Sequence, residues 1–206
     1  KTNYELLYLL VMKEVKLTIP DNWNDITIST YQKYVDIQEG KGTEKNKVIK
    51  SLALLCNTSP FVVKKMAYND LKEIMGIIKK MIDTEPTEED FKKIFNLKGI
   101  EYGFCPNLNN LSTGEYIDLE AYCKEPIKNL HIIMSILYRQ VTNKLNERYA
   151  IEPYNPEEFK EEVFKDCPMS IALSSLGFFL SLGERLAKIS HRYLAHQKTT
   201  PQKVQQ

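Results

Sequence analysis

"EPIKNLHIIMSILYRQV", residues 125–141, decides the fold class that this sequence predicts. Leu130, Ile133 and Leu137 recur along it at helical spacing. Val141 continues the same apolar face, so the pattern predicts one strong amphipathic helix through that residue. We therefore expect a mainly α protein, built as a helical bundle with a short N-terminal strand and a small central β-hairpin or extended arm.

The stretch before it, "LSTGEYIDLEAYC" at residues 111–123, carries a helix-start signal. Ser112 is placed as the N-cap and Glu115 follows three residues later, which is the spacing of a capping box. Tyr116 and Leu119 then fall on one helical face, and we expect both to pack against the core. The stretch is interpreted as a structural signature that orients the C-terminal half of the chain.

The acids of the same stretch leave a metal or acid–base site open as an alternative. Glu115, Asp118 and Glu120 could supply hard oxygen ligands. No histidine stands at the helical spacing that would complete such a site, and no second carboxylate motif is paired with it. His131 could be a general base, but no nucleophile motif accompanies it. The sequence thus predicts no catalytic residue, no metal and no cofactor.

Two segments favour extended structure. "IFNLKGIEYGFCPNL", residues 94–108, places β-formers around Gly99 and Gly103 and predicts the central hairpin or arm. "KEVKLTIP", residues 13–20, alternates apolar residues up to a proline and predicts an N-terminal edge strand.

Short helices with short loops are predicted between residues 29 and 95. Ser59 as a cap followed by Pro60 specifies one of them. "GKGTEKNK", which begins at Gly40, lacks the spacing of a phosphate loop and is interpreted as a solvated helix–helix connection.

A long helix is predicted from Pro168 to about His196, with serines and glycines that let another helix approach closely. We assign residues 1–95 to an N-terminal strand and helical segment. Residues 96–196 form a C-terminal helical segment packed on it in one compact domain, and 197–206 are a polar tail.

The charges balance overall but are unevenly distributed. Lys and Arg number 28 against 27 Asp and Glu, so no global field recruits a polyanion. Residues 41–80, however, hold nine lysines and three acids, whereas residues 81–128 hold five lysines and ten acids. Such a dipole suits contacts between proteins at least as well as contact with nucleic acid. Candidate nucleic-acid contacts are Lys47, Lys50, Lys64, Lys65, Lys79 and Lys80, but this segment has no arginine and few aromatics among its lysines.

Four separate cysteines without a C-x-x-C pair indicate reduced thiols in a cytosolic setting. The longest apolar run, residues 169–183, is shorter than the roughly 20 residues of a membrane span. The apolar N-terminus lacks a cleavage site, so we expect no signal peptide. Met12 is an alternative translation start.

"LTIPDNWNDITISTYQKY", residues 17–34, resembles the opening of many virion and assembly proteins of tailed phages. "NLSTGEYIDLEAY", "NLHIIMSILYRQV", "YAIEPYNPEEF" and "CPMSIALSSLGFFLSLGERL" follow in the block order of those proteins, including ones from crAss-like phages. The resemblance covers roughly residues 12–185. Where such proteins have a proline after Tyr-Arg, this chain has Gln140, so its helix is expected to continue.

The resemblance implies a virion structural component or a tail-assembly chaperone, with other phage structural proteins as partners in multiple copies. Its location would be the host cytoplasm during assembly and then the virion. The alternative is a nucleic-acid-associated accessory or packaged cargo protein that uses the lysine-rich face of residues 41–80. Candidate partner-binding residues are Tyr116, Tyr138, Arg139, Phe178, Phe179 and Arg185.

Overall fold

The structure, a computed structural model, describes residues 17–84, 86–87, 90–146, 148–157 and 160–181. These residues form eight α-helices and a four-stranded antiparallel sheet. The helices are α1 (Ile28–Glu39), α2 (Glu44–Leu55), α3 (Pro60–Lys65), α4 (Tyr68–Ile82), α5 (Thr113–Tyr122), α6 (Leu130–Leu137), α7 (Glu161–Phe164) and α8 (169–181). The strands are β1 (Ile94–Leu97), β2 (Ile100–Phe104), β3 (Tyr138–Leu145) and β4 (Arg148–Ile151). The fold is therefore mixed α/β, and the prediction of a helical bundle with a small hairpin is wrong.

The chain divides into two compact units. Of the described residues, the first unit contains 17–22 and 33–83, and the second contains 23–32 and those from 84 onward. Helix α1 thus begins in the second unit and ends in the first. The boundary predicted between residues 95 and 96 falls inside strand β1.

Predictions near the chain ends are only partly covered. Residues 17–20 of the predicted N-terminal strand belong to no strand, and residues 13–16 lie outside the described residues. Helix α8 occupies the start of the long C-terminal helix that was predicted. The rest of that helix and the polar tail at 197–206 also lie outside the described residues.

The first unit is helical, and its helix starts are encoded locally. Ser59 caps α3 by accepting a hydrogen bond from the Val62 N–H (3.3 Å), and Pro60 occupies the first turn, which confirms the prediction. Helix α4 buries Ile74 and Ile78 on one face. Its opposite face is exposed.

The sheet of the second unit is an antiparallel meander in the order β1-β2-β3-β4. Lys98 and Gly99 join β1 to β2 with φ values of 52° and 85°. Positive φ at both central residues is the requirement of a tight turn that matches strand twist. The predicted hairpin is therefore present, as the first half of a larger sheet.

Strand β3 begins where the predicted helix was expected to continue. Helix α6 ends at Leu137, and Tyr138 is already extended, with φ −120° and ψ 126°. From there β3 pairs with β2, with Tyr138 opposite Phe104, and further along with β4. Because ladder hydrogen bonds on both sides replace helical ones, the apolar periodicity that reaches Val141 does not produce a helix.

Helix α6 is the centre of the second unit. Leu130, Ile133, Met134, Ile136 and Leu137 are all fully buried. Apolar residues therefore surround the helix axis, which is the pattern of a helix inside a core rather than on its surface. Helices α5 and α7 contact it, and the second unit buries further residues such as Phe104 and Met169.

Gly103 in β2 lies beneath the ring of Tyr149, which reaches across the sheet from β4. A Cβ atom at position 103 would lie 2.6 Å from that ring. The Tyr149 hydroxyl donates a hydrogen bond to the Phe104 carbonyl oxygen (2.7 Å). We expect Gly103→Ala to displace the ring and to lower the free energy of unfolding by about 1–3 kcal/mol.

Urea unfolding followed by tryptophan fluorescence measures this loss, since Trp23 is the only tryptophan and is buried in the second unit. Gly177→Ala is the control, because a Cβ at that position of α8 meets no atom within 4 Å. It should leave the urea midpoint unchanged or raise it slightly. Equal midpoints for the Gly103→Ala variant and the wild-type protein would contradict the packing of Tyr149 on β2.

Candidate functional site

Helix α5 starts with a reciprocal pair of hydrogen bonds. The Glu115 N–H donates to Ser112 Oγ (3.2 Å), and the Ser112 N–H donates to Glu115 Oε2 (2.7 Å). This is the capping box that the sequence predicts, and the prediction is confirmed.

Glu115 uses its second oxygen for an ion pair with Arg139 of strand β3. Both side chains are largely buried, with exposed fractions of 6% for Glu115 and 13% for Arg139. Burial alone would raise the pKa of Glu115, but the Ser112 N–H and the Arg139 guanidinium outweigh it and hold that pKa below its usual range. The pair is therefore charged at neutral pH and joins α5 to the sheet.

Tyr154, which follows strand β4, makes a second connection to α5. Its hydroxyl donates a hydrogen bond to the Asp118 carboxylate. Its ring centroid lies 5.8 Å from Cζ of Arg139, within the range of a cation–π contact. Burial and the Asp118 carboxylate raise the pKa of the Tyr154 phenol, so it remains protonated and donates.

Helix α5 is oriented mainly by these polar contacts. Glu115 and Leu119 are its two buried residues. Tyr116 and Ile117 are 62% and 56% exposed. The prediction that Tyr116 packs inward is wrong, because the buried face runs through positions 115 and 119 and Tyr116 lies about 100° away from Glu115 around the helix.

Two cavities border Arg139 and Tyr154. One cavity, of about 340 Å³, is also lined by Tyr102, Gln140, Glu152 and Lys160. The other, of about 370 Å³, is also lined by Cys105, Asn107, Asn110 and Ser112. The Arg139 Nε atom is buried and has no hydrogen-bond partner among the described residues. Such a donor suits a carbonyl or carboxylate oxygen that reaches it.

The acids weighed as metal ligands point to separate partners. Glu115 binds Arg139, Asp118 accepts from Tyr154, and Glu120 is exposed. Within the ranges that the structure describes, no group of three or more His, Cys, Asp or Glu side chains is placed to hold a metal ion.

His131 has a structural setting in the second unit. Its Nδ1 lies 3.1 Å from Nε2 of Gln32, which also donates to the carbonyl oxygen of Lys128 (2.8 Å). Burial, assisted by the charge of Lys165, lowers the pKa of His131 and favours the neutral ring. The ring thereby helps join α6 to the start of α1.

The other predicted partner-binding residues are dispersed. Tyr138 is fully buried, so a partner cannot touch it in this conformation. Phe178 is half-buried and stacks on Phe91 with ring centroids 4.5 Å apart, and Phe179 is also half-buried. Arg185 lies outside the described residues.

The candidate lysines lie in the first unit and are mostly exposed. Lys47 is the exception, with 19% of its side chain exposed and its amine donating to the Gln38 carbonyl oxygen (2.6 Å). The exposed positions are Lys50, Lys64, Lys65, Lys79 and Lys80.

Sequence reasoning missed contacts around α5 and a contact beside the candidate lysines. The link from Glu115 to Arg139 and the link from Asp118 to Tyr154 join residues far apart in the chain, and no local pattern announces them. Beside the candidate lysines, the exposed ring of Phe61 lies 4.5 Å from Lys65 Nζ. This contact could have been found, since Phe61 stands one helical turn before Lys65 on a well-capped helix.

No helix in the described part of the chain is long and apolar enough to cross a membrane. Comparison with protein-family models, with curated proteins and with solved structures found no match to this chain.

Proposed function

We propose that this chain is a non-enzymatic bacteriophage protein that acts by binding other proteins, as a virion structural component or a tail-assembly chaperone. One observation carries the binding role: α5 is fixed by polar contacts while it exposes two adjacent apolar side chains. We define the α5 surface as Tyr116 and Ile117, which are 62% and 56% exposed. The resemblance of residues 12–185 to tailed-phage virion and assembly proteins supports the class of partner.

The α5 surface has the properties of a preformed contact. A helix of 10 residues with only two of them buried gains little from apolar packing. The Glu115–Arg139 ion pair and the Tyr154–Asp118 hydrogen bond supply the orientation instead. A rigid presentation reduces the conformational entropy that binding would otherwise cost.

The chemistry of the α5 surface suits a protein partner. Tyrosine is enriched among the residues that dominate protein interfaces, and an adjacent aliphatic side chain adds apolar area. Arg139 lies directly behind the helix, with its Nε buried and unpaired among the described residues. A partner that covers α5 would bury this apolar pair on a helix that the ion pair with Arg139 holds in place.

The test is incorporation of a Tyr116→Asp/Ile117→Asp variant into particles of the phage that encodes the chain. We expect at least about a tenfold loss of the variant from washed particles or from purified assembly intermediates, because the two substitutions place carboxylates at the centre of the proposed interface. The urea midpoint reported by Trp23 should not change, since both side chains are exposed.

Leu145→Asp is the matched control, because Leu145 is 72% exposed in the same unit and lies at the end of β3. It should be incorporated like the wild-type protein. The proposal fails if the wild-type chain is absent from washed particles and from every assembly intermediate. Equal losses for the α5 variant and the Leu145 control would reject the α5 surface as the contact.

A further inference from the structure

Helices α3 and α4 of the first unit expose two aromatic rings among lysines. Phe61 is 64% exposed and Tyr68 is 76% exposed. Lys65 Nζ lies 4.5 Å from the centroid of the Phe61 ring. Phe61 and Tyr68 are seven residues apart in the chain, so their Cα atoms lie within about 25 Å of each other. We define the aromatic–lysine surface as Phe61, Lys64, Lys65, Tyr68 and Lys72.

The exposed face of α4 extends this surface. Tyr68, Lys72 and Lys79 recur at i, i+4 and i+11 and are all exposed. The opposite face of α4 is buried through Ile74 and Ile78. Residues 41–80 as a whole hold nine lysines and three acids, so the surface lies in a strongly positive segment.

We propose that the aromatic–lysine surface binds single-stranded nucleic acid, with bases stacked on Phe61 and Tyr68 and phosphates neutralised by the flanking lysines. Single strands expose base faces to a ring, whereas a duplex conceals them. Arginine, the main side chain that reads duplex base edges, is absent from residues 1–138. The inference concerns a surface and a class of ligand separate from the protein contact proposed for α5.

Two other kinds of partner fit this surface less well. Lysine is depleted in the centres of protein–protein interfaces, but here the Lys65 amine lies over the Phe61 ring. A membrane-surface helix needs a broad apolar face, whereas Met75 is the one exposed residue among the large non-aromatic apolar side chains of α4. Charge together with isolated, exposed rings favours a polyanion that offers stacking faces.

Fluorescence anisotropy with the full chain tests the proposal. The probes are labelled oligothymidylate and oligouridylate of about 20 nucleotides, a duplex of the same length, and vesicles of anionic phospholipid. We expect both single strands to bind at low salt more tightly than the duplex. Phe61→Ala/Tyr68→Ala should weaken single-strand binding at least about tenfold, with the salt dependence unchanged.

Charge reversal tests the lysines separately. Lys64→Glu/Lys65→Glu should weaken binding and reduce the slope of log affinity against log salt by at least about 1.4, which corresponds to two phosphate contacts. Lys92→Glu/Lys93→Glu is the matched control, since it reverses an adjacent exposed lysine pair of the second unit. It should change the affinity less than about twofold. Circular dichroism confirms that each variant retains its helices.

The inference is overturned by any of four results. These are no binding of either single strand at low salt, equal affinity for duplex and single strand, equal losses for the two lysine pairs, or retention of binding by the Phe61→Ala/Tyr68→Ala variant. The first of these results together with binding to the vesicles would assign the surface to membranes. The Tyr116→Asp/Ile117→Asp variant should bind the oligonucleotides like wild type, so the two proposals can fail independently.

Discussion

Arg139→Met is expected to lower the free energy of unfolding of the second unit by about 3–5 kcal/mol at neutral pH. The Arg139 side chain is 13% exposed and its partner Glu115 is 6% exposed. Methionine preserves much of the packed volume but removes the cation. The buried Glu115 carboxylate then keeps its desolvation cost and loses the charge that offset it. Urea unfolding followed by Trp23 fluorescence measures the loss.

The loss should depend on pH in a defined direction. The pKa of Glu115 in the folded protein lies below its usual range. Its contribution to stability is therefore complete above the unfolded-state pKa of about 4.3 and disappears as the pH falls through the lower folded-state value. We expect the difference between wild type and Arg139→Met to shrink as the pH falls below about 4.

Two controls separate a buried ion pair from general effects of charge removal. Lys144→Met removes the exposed ion pair with Glu101, whose side chains are about half exposed, and should cost less than about 1 kcal/mol. Glu115→Gln/Arg139→Met should cost less than the sum of the two single changes, because no uncompensated charge remains. Equal losses for Arg139→Met and Lys144→Met, or a loss that persists unchanged at about pH 3, would contradict the assignment.

The two halves of this site differ in how far the sequence predicts them. The capping box is local, because Ser112 and Glu115 are three residues apart and their chemistry alone specifies the bonds. The role of Glu115 as an ionic partner is not local, since Arg139 meets it only once β3 has paired with β2. The exposure of Tyr116 has the same origin. Which face of α5 is buried depends on where the ion pair places the helix.

The fold divides in a similar way. Caps and turns such as Ser59 and Gly99 were predictable, because they act over a few residues. The second half of the sheet was not, because the apolar periodicity of α6 continues to Val141, inside β3. Only its partners β2 and β4, which lie on either side in the meander, determine that the backbone becomes extended.

Tyr138 is the residue at which this change occurs, and it is held from several directions. Its side chain is fully buried. Its ring meets the rings of Phe95 and Phe104 edge-on, with centroids 5.0 Å and 5.1 Å away. Its hydroxyl donates to the Lys92 carbonyl oxygen (2.6 Å) and lies 2.7 Å from Ser175 Oγ. Lys92 and the two phenylalanines precede helix α6 in the sequence, whereas Ser175 follows it.

Replacing Tyr138 separates the ring contacts from the hydroxyl contacts. Tyr138→Ala should cost at least about 3–5 kcal/mol, because it creates a cavity between Phe95 and Phe104 and removes the partner of the Lys92 carbonyl group. Tyr138→Phe keeps the ring and should cost about 1–3 kcal/mol. Burial raises the pKa of Tyr138, so the hydroxyl remains a donor at all pH values used for these measurements.

Urea midpoints from Trp23 fluorescence give both losses, and Tyr116→Ala is the control because that tyrosine is 62% exposed. It should change the free energy of unfolding by less than about 0.5 kcal/mol. A loss for Tyr138→Phe as large as that for Tyr138→Ala would mean that the hydroxyl alone fixes the junction. A loss for Tyr138→Ala no larger than the control's would contradict the role of Tyr138 as the anchor. Alanine favours helix more than tyrosine does, so Tyr138→Ala would also remove the long-range contacts that oppose a continuation of α6 beyond Leu137.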